Sequence, residues 1–168
     1  MEQILVIGCP GSGKTTLAKS LASKLDLPLV HLDALFWREG WKNLSAGEFD
    51  KLLEKELEKP RWIIDGNYNR TLITRLRRAD TVIYLDYPRR ICLAGVIGRY
   101  FKNRWKTRSD IGGNCPEKLD FPFLKFVWEF NKKYRKFYRE LLAGSGVKAY
   151  IFRSRRQTRA FEKSLCGK

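Results

Sequence analysis

Residues 8–15 read Gly-Cys-Pro-Gly-Ser-Gly-Lys-Thr. Glycines at 8, 11 and 13 with a proline between them deny this stretch a helix or strand of its own. Its flanks are ordered. Glu2 to Ile7 (EQILVI) has the near-continuous apolar character of a buried parallel strand. From Thr15 to Leu25, Leu17, Leu21 and Leu25 recur at helical spacing. A strand, a glycine loop and a helix in this order turn successive backbone N–H groups around a phosphate and set the positive end of a helix behind them. The run satisfies the full pattern GxxxxGK[ST], in the right context. Lys14 can then reach the β- and γ-phosphates of a nucleoside triphosphate, and the Thr15 hydroxyl can sit on Mg²⁺. ATP and Mg²⁺ are the cofactors expected, and Gly8, Cys9, Pro10, Gly11, Ser12, Gly13, Lys14, Thr15 and Thr16 the residues expected to hold them.

The rest of the chain keeps the alternation. Leu29 to Leu32 is a second short strand, and Ser45 to Lys59 a helix opened by a capping box, Ser45 to Glu48, and closed by Pro60. Arg61 to Asp65 is a third strand, Tyr68 to Arg78 a helix, and Thr81 to Asp86 a fourth strand. Pro88 opens a helix that runs to about Trp105. A polar loop, Lys106 to Lys118, precedes a long helix from about Pro122 to Leu142. Its stripe of Phe123, Phe126, Val127, Phe130, Tyr134, Phe137, Tyr138 and Leu141 reads as core. Val147 to Phe152 is a fifth strand and Gln157 to Leu165 a last helix. Strands alternating with helices imply an α/β fold around a parallel sheet.

At 168 residues and 43% hydrophobic content, the chain is one domain with enough apolar surface for its own core. No apolar run approaches the ~20 residues of a membrane span, and Met1 to Gly13 lacks a basic stretch before its short apolar run, so no secretory signal is expected. The four cysteines, Cys9, Cys92, Cys115 and Cys166, form no CxxC pair, which fits a reducing cytoplasm. Charge is uneven. The net charge is +16, and residues 89–168 carry 21 basic against 6 acidic side chains. Such a half expects a polyanion, either nucleotide phosphates or nucleic acid.

Ligands of parallel α/β sheets bind beyond the carboxyl ends of the strands. Asp33 and Asp65 stand there. Asp65 closes the apolar run Trp-Ile-Ile and is the expected partner of Thr15 at the metal; Asp86 closes a similar run and reads as a flank of the Pro88 helix start. His31, the only histidine, reads as structural.

GCPGSGKTTLAK, HLD with a nearby Trp, WIIDGNY, YLDYPRRICL and an arginine-rich loop ending in NCPE resemble the adenylate-kinase-like P-loop family of DNA topology modulation proteins. The wider resemblance is to nucleoside monophosphate kinases and small-metabolite kinases. It implies a three-layer P-loop NTPase fold with a five-stranded parallel sheet in the order 2-3-1-4-5, a short lid at about 104–118, and a loop after the fifth strand, with Arg153, Arg155 and Arg156, that would bring an arginine, Arg153 first, over the adenine. Asp65-Gly66 resembles the Asp-Gly of adenylate kinases but continues Asn67-Tyr68-Asn69-Arg70 instead of Phe-Pro-Arg. With Cys115 alone in the lid segment, a zinc-bound lid is not expected.

Arg99, Arg104 and Arg108 flank or enter that segment and are suited to the charge of a moving phosphoryl group. The expected function is therefore transfer of the γ-phosphoryl group from ATP to a small, nucleotide-like acceptor. A phosphate acceptor needs cations, for which Arg38 and Arg70 are available; a hydroxyl acceptor needs a carboxylate base, for which Asp33 is available. The alternative is a nucleotide-dependent nucleic-acid-binding protein that uses Lys125, Lys132, Lys133, Arg135, Lys136 and Arg139 on phosphate backbones. No nucleic-acid-binding motif accompanies them, and the oligomeric state is open.

Overall fold

A computed structural model describes residues 1–103 and 119–165. The segment expected as a lid, with Arg104 and Arg108, lies outside the described residues.

In chain order the elements are β1 (Gln3–Gly8), α1 (Lys14–Leu25), β2 (Leu29–His31), α2 (Leu32–Phe36), β3 (Trp37–Arg38), β4 (Lys42–Asn43), α3 (Ala46–Leu57), β5 (Trp62–Asp65), α4 (Asn69–Arg78), β6 (Thr81–Leu85), α5 (Arg89–Asn103), α6 (Phe121–Gly144), β7 (Lys148–Phe152) and α7 (Arg155–Ser164). A single 3₁₀ turn, Glu39–Trp41, joins β3 to β4.

Five strands form the main sheet in the order β2-β5-β1-β6-β7, every pairing parallel. The expected order 2-3-1-4-5 counted five strands, whereas the described residues form seven. The two-residue strands β3 and β4 form a separate antiparallel hairpin, which shifts every later strand number by two. Numbered by themselves, the main-sheet strands run 2-3-1-4-5.

Every residue of β5 and β6, and all of β1 after Gln3, is buried. Both faces of the sheet's centre are therefore covered, the three-layer condition for a parallel sheet. α1 packs against β1, β2 and β5, α4 against β1, and α5 against α6. The core runs through Ile4 to Ile7, Trp62 to Ile64 and Val82 to Leu85 and extends to Val127, Phe130, Tyr138 and Leu142 of α6. The long aromatic stripe is thus only partly core: Phe126 and Phe137 stand 36% and 40% exposed, because the 24-residue helix outruns the surface it packs on. No helix among the described residues is long and apolar enough to cross a membrane.

Helix caps lie where the sequence places them. The Ser45 hydroxyl accepts from the Glu48 N–H while the Glu48 carboxylate accepts from the Ser45 N–H. Asp120 caps α6 through the Phe123 N–H at 2.8 Å. Each such cap contributes about 1 kcal/mol.

Asp86 shows why a strand-end carboxylate must be read with its tertiary partners. It is fully buried, and Arg135 Nε and Arg139 Nη2 donate to its two oxygens at 2.7 and 2.6 Å. The ion triad ties α6 to the end of β6. It also breaks the cationic tract expected along α6: Lys133 and Lys136 are paired with Glu129 and Glu140 on the same helix. Arg135→Leu combined with Arg139→Leu should lower the unfolding free energy by about 3–5 kcal/mol in urea denaturation, because a buried carboxylate is left without a cation. Asp86→Asn should cost less, since the guanidiniums are 40% and 38% exposed and can hydrate. Equal losses in the two proteins would contradict this account.

Candidate active site

The parallel register aligns His31 with Asp65 and Asp65 with Val6, while Gly8 faces Leu85. The carboxyl ends of β2, β5, β1 and β6 thus open on one side, at the point where chain order reverses across β1. A cleft of about 1280 Å³ lies there. Pockets for one drug-sized ligand run ~300–1,000 Å³, so this one is large enough for two small substrates side by side.

The loop from Gly8 to Gly13 forms one wall. Gly11 and Gly13 have φ of 78° and 94°, a left-handed backbone that glycine adopts without strain. The loop is pressed against α5, backbone to backbone: a Cβ on Gly11 would stand 2.1 Å from the Cys92 carbonyl oxygen, and one on Gly95 would stand 2.1 Å from that of Gly11. Pro10, Gly11, Gly13, Lys14, Thr15 and Thr16 line the cleft. Gly8, Cys9 and Ser12 support it from behind. The Gly8 N–H donates to Asn67 Oδ1 at 3.0 Å and its carbonyl accepts from Asn67 Nδ2 at 2.9 Å, so its amide is already engaged. Cys9 is buried, with its thiol directed at the Val127 carbonyl oxygen at 3.7 Å, and its hydrogen-bonding interaction with Cys92, followed by burial, pushes that thiol's pKa up. The Ser12 hydroxyl is buried with no hydrogen-bond partner among the described residues. Lys14 Nζ donates to the Cys9 carbonyl oxygen at 3.2 Å.

Asp65 stands beneath the loop at 6% exposure. Its Oδ2 accepts from the Thr15 hydroxyl at 2.7 Å and lies 3.2 Å from His31 Nδ1; its Oδ1 is buried with no partner among the described residues. A threonine hydroxyl, a carboxylate and an unmatched carboxylate oxygen at the phosphate end of the cleft are hard oxygen donors, the ligand chemistry of Mg²⁺. These oxygen donors suit the Mg²⁺ expected from the sequence, whereas Asp86 is taken up by Arg135 and Arg139. His31, read from sequence as structural, lines the cleft and touches Asp65.

The next three residues, Gly66-Asn67-Tyr68, are set by a side chain the sequence reading missed. Arg75 of α4 is fully buried and donates to the carbonyl oxygens of Gly66 (3.0 Å), Asn67 and Tyr68 (3.0 Å). Desolvation lowers its pKa to about 10. Thr71, Leu72, Arg75 and Leu76 form the buried stripe of α4, so an arginine at an apolar helical position was the available signal. Tyr68 has a left-handed backbone (φ 36°) between this anchor and its own hydroxyl, which donates to Asp33 Oδ1 at 3.0 Å. Strain of this kind on a non-glycine residue is typical of functional loops.

Asp33 of α2 lies across the cleft from the loop, among Phe36, Trp37, Trp41 and Tyr68. Phe36 contacts Trp37 edge-on at 5.0 Å and Tyr68 at 5.1 Å, and Trp37 meets Trp41 at 5.3 Å. α2 and the β3–β4 hairpin, which present these rings, fall in a stretch to which the sequence pattern assigns no helix or hairpin. A five-residue helix without a side-chain cap and a pair of two-residue strands leave no periodic signal.

Arg99 lines the cleft, joined by Lys19, Lys102 and Arg155. Two expected acceptor cations do not. Arg70 makes a bidentate pair with Asp50 at 2.6 and 2.7 Å on the outer side of α4, and Arg38 turns back to the Ala34 and Trp37 carbonyl oxygens at 3.5 Å. Arg153 is not among the cleft-lining residues; its backbone N–H donates to Gln157 Oε1 at 2.7 Å, and Arg155, two residues on, lines the cleft.

Comparison with known proteins follows the same lines. The family model for ATPases associated with various cellular activities (AAA) matches residues 4–86. A protein of Pyrococcus abyssi named "Putative adenylate kinase" is 32% identical over 124 residues, covering 69% of this chain and 63% of its own length. The shikimate kinase of Enterococcus faecalis is 33% identical over 102 residues, 51% of this chain and 59% of that enzyme. The chain thus spans less than two thirds of the length of these relatives. Among solved structures, shikimate kinase from Acinetobacter baumannii in complex with shikimate superposes with a TM-score of 0.65 at 17% identity, covering 98% of this chain and 90% of the other; at that identity the likeness is one of fold. The sheet and its loop are a P-loop fold like that of shikimate kinase, and the matches support a kinase-like P-loop family for this chain.

Proposed function

We propose that the chain is a P-loop kinase that binds ATP with Mg²⁺ and transfers the γ-phosphoryl group to a small acceptor, its 168 residues acting as one domain. The observation that carries this reading is the two-sided cleft. The Thr15–Asp65 pair sits under a phosphate-binding loop, and a second wall with its own carboxylate, Asp33, faces it. A nucleotide hydrolase needs room only for water opposite the γ-phosphate; a wall of Asp33, Phe36, Trp37, Trp41 and Tyr68 provides a site for an organic acceptor.

In this reading the loop amides and Lys14 hold the β- and γ-phosphates. Thr15 and Asp65 hold the metal, which when bound neutralises charge on the phosphates. Asn67 and Arg75 fix the loops that carry these groups. Arg99, which lines the cleft, meets the negative charge of the moving phosphoryl group. Of the three arginines after the last strand of the main sheet, Arg155 is the one that lines the cleft and covers the base.

The test is ADP release from ATP·Mg²⁺ by the full chain, with and without a mixture of nucleosides, nucleoside monophosphates and hydroxy-metabolites. A rise of at least 10-fold with the mixture, and its loss in EDTA, is the expected result. A rate indifferent to every acceptor would make the protein an ATPase instead.

A further inference from the structure

Within the kinase reading, on which this inference rests, we propose that the acceptor is a ring-bearing alcohol of the nucleoside type, phosphorylated on a hydroxyl group, and that the acceptor end does not take a phosphate.

Three observations point there. The first is the distribution of charge. The described cations lining the cleft, Lys14, Lys19, Arg99, Lys102 and Arg155, come from the phosphate loop, α1, α5 and α7. α2, the β3–β4 hairpin and residues 66–68 contribute no described lysine or arginine to it, since Arg38 and Arg70 point to other partners. A phosphate acceptor docked on that wall would meet a carboxylate, a like charge that costs affinity. The second is the wall's chemistry. Phe36, Trp37, Trp41 and Tyr68 are all half-buried and line the cleft, which suits a flat ring: base–aromatic stacking contributes ~1–3 kcal/mol per ring. The third is how Asp33 is held. The Tyr68 hydroxyl donates to its Oδ1, and burial together with the Asp33 charge pushes the Tyr68 pKa up. The phenol therefore remains a donor at neutral pH and orients the Asp33 carboxylate by its hydrogen bond. A substrate hydroxyl has a proton to give such a group; a phosphate dianion has none.

The step balances without any further reagent. The hydroxyl proton passes to the Asp33 carboxylate as the hydroxyl oxygen forms a bond to the γ-phosphorus. The bond from that phosphorus to the β,γ-bridging oxygen breaks, and its electron pair leaves with ADP. Asp33 then returns the proton to water, so alcohol and ATP give phosphate ester, ADP and one proton.

The experiment gives the full chain ATP·Mg²⁺ and three acceptor sets: nucleosides, the matching nucleoside 5′-monophosphates, and ring-free polyols. Products are identified by phosphorus NMR. Transfer to at least one nucleoside is expected, with kcat/KM at least 100-fold above its monophosphate. Asp33→Asn should lower kcat by ~10²–10⁴-fold with KM little changed. Trp37→Ala should raise the nucleoside KM by about 5- to 150-fold while kcat stays within a few fold. Quenching of tryptophan fluorescence by the nucleoside, in the presence of a non-hydrolysable ATP analogue, should weaken in Trp37→Ala and persist in Asp33→Asn. Preference for monophosphates or for ring-free polyols would overturn the proposal and leave the kinase reading standing. Transfer to no acceptor would overturn both.

Discussion

Lys14→Ala is expected to remove phosphoryl transfer almost completely while leaving the fold intact. Lys14 is the first residue of α1 and the one lysine within the phosphate loop pattern. Its ammonium group rests on the Cys9 carbonyl oxygen at 3.2 Å, within the loop that would surround the phosphates. The shape of that loop depends on other groups. Asn67 grips both polar atoms of Gly8, and Gly11 is locked against Gly95. Truncating Lys14 therefore removes a charge without removing the cradle, and the thermal midpoint should move by only a few degrees. The charge itself acts where negative charge develops on the transferring group. Loss of one such preorganised donor typically costs ~10²–10³-fold in kcat. Affinity for ATP should fall as well, because the ground-state phosphates lose the same cation. Steady-state ADP release and calorimetric titration with a non-hydrolysable analogue measure the two effects. Wild-type turnover in this variant would remove the phosphate loop from the mechanism altogether.

What was legible in the sequence was what local pattern encodes. The glycine loop, the apolar strands and the capped helix at Ser45 each carry their signal within a few residues, and their boundaries agree with the structure to within a few positions. Identity of function among similar residues was not local. Asp65 and Asp86 each close an apolar strand, and what occupies Asp86 is visible only in the fold: Arg135, 49 residues downstream, and Arg139 take up that carboxylate, where the sequence offers only the flank of the Pro88 helix start. Arg38, Arg70 and Arg153 were plausible by position, but a surface arginine points wherever its nearest carboxylate or carbonyl lies. For Arg70 that is Asp50, which is held well below the usual carboxylate range by the pair. Asn67 and Arg75 carried weaker clues. The departure from the adenylate-kinase pattern after Asp65-Gly66 marks the place where this chain builds its own loop. That loop needs an asparagine to bind Gly8 and a buried arginine to gather three carbonyls.

Asp65→Asn should separate the metal from the fold. The native carboxylate is buried, yet one of its oxygens has no described partner. A buried acceptor left unmatched costs about 1–3 kcal/mol. Asn removes the buried charge but leaves a buried amide at the same position, so its stability in urea should stay within about 1–3 kcal/mol of the parent. Asn retains a carbonyl oxygen for the Thr15 hydroxyl, so the local geometry can survive. What it loses is the negative charge and the second oxygen. Binding of an ATP analogue without Mg²⁺ should therefore be unchanged or slightly tighter, since a like charge near the phosphates is gone. The gain in affinity on adding Mg²⁺ should largely disappear, and turnover should fall by ~10²–10³-fold, the scale of losing one electrostatic anchor of the transition state. Asp86→Asn supplies the contrast, because it should lose stability while keeping its response to the metal. Calorimetric titrations of both variants with and without 5 mM-scale Mg²⁺ (roughly the free level that saturates a weak hard-cation site) distinguish the two. An Asp65→Asn protein that gains as much from Mg²⁺ as the parent does would mean that Thr15 holds the metal through some other partner, and that the unmatched oxygen of Asp65 serves something else.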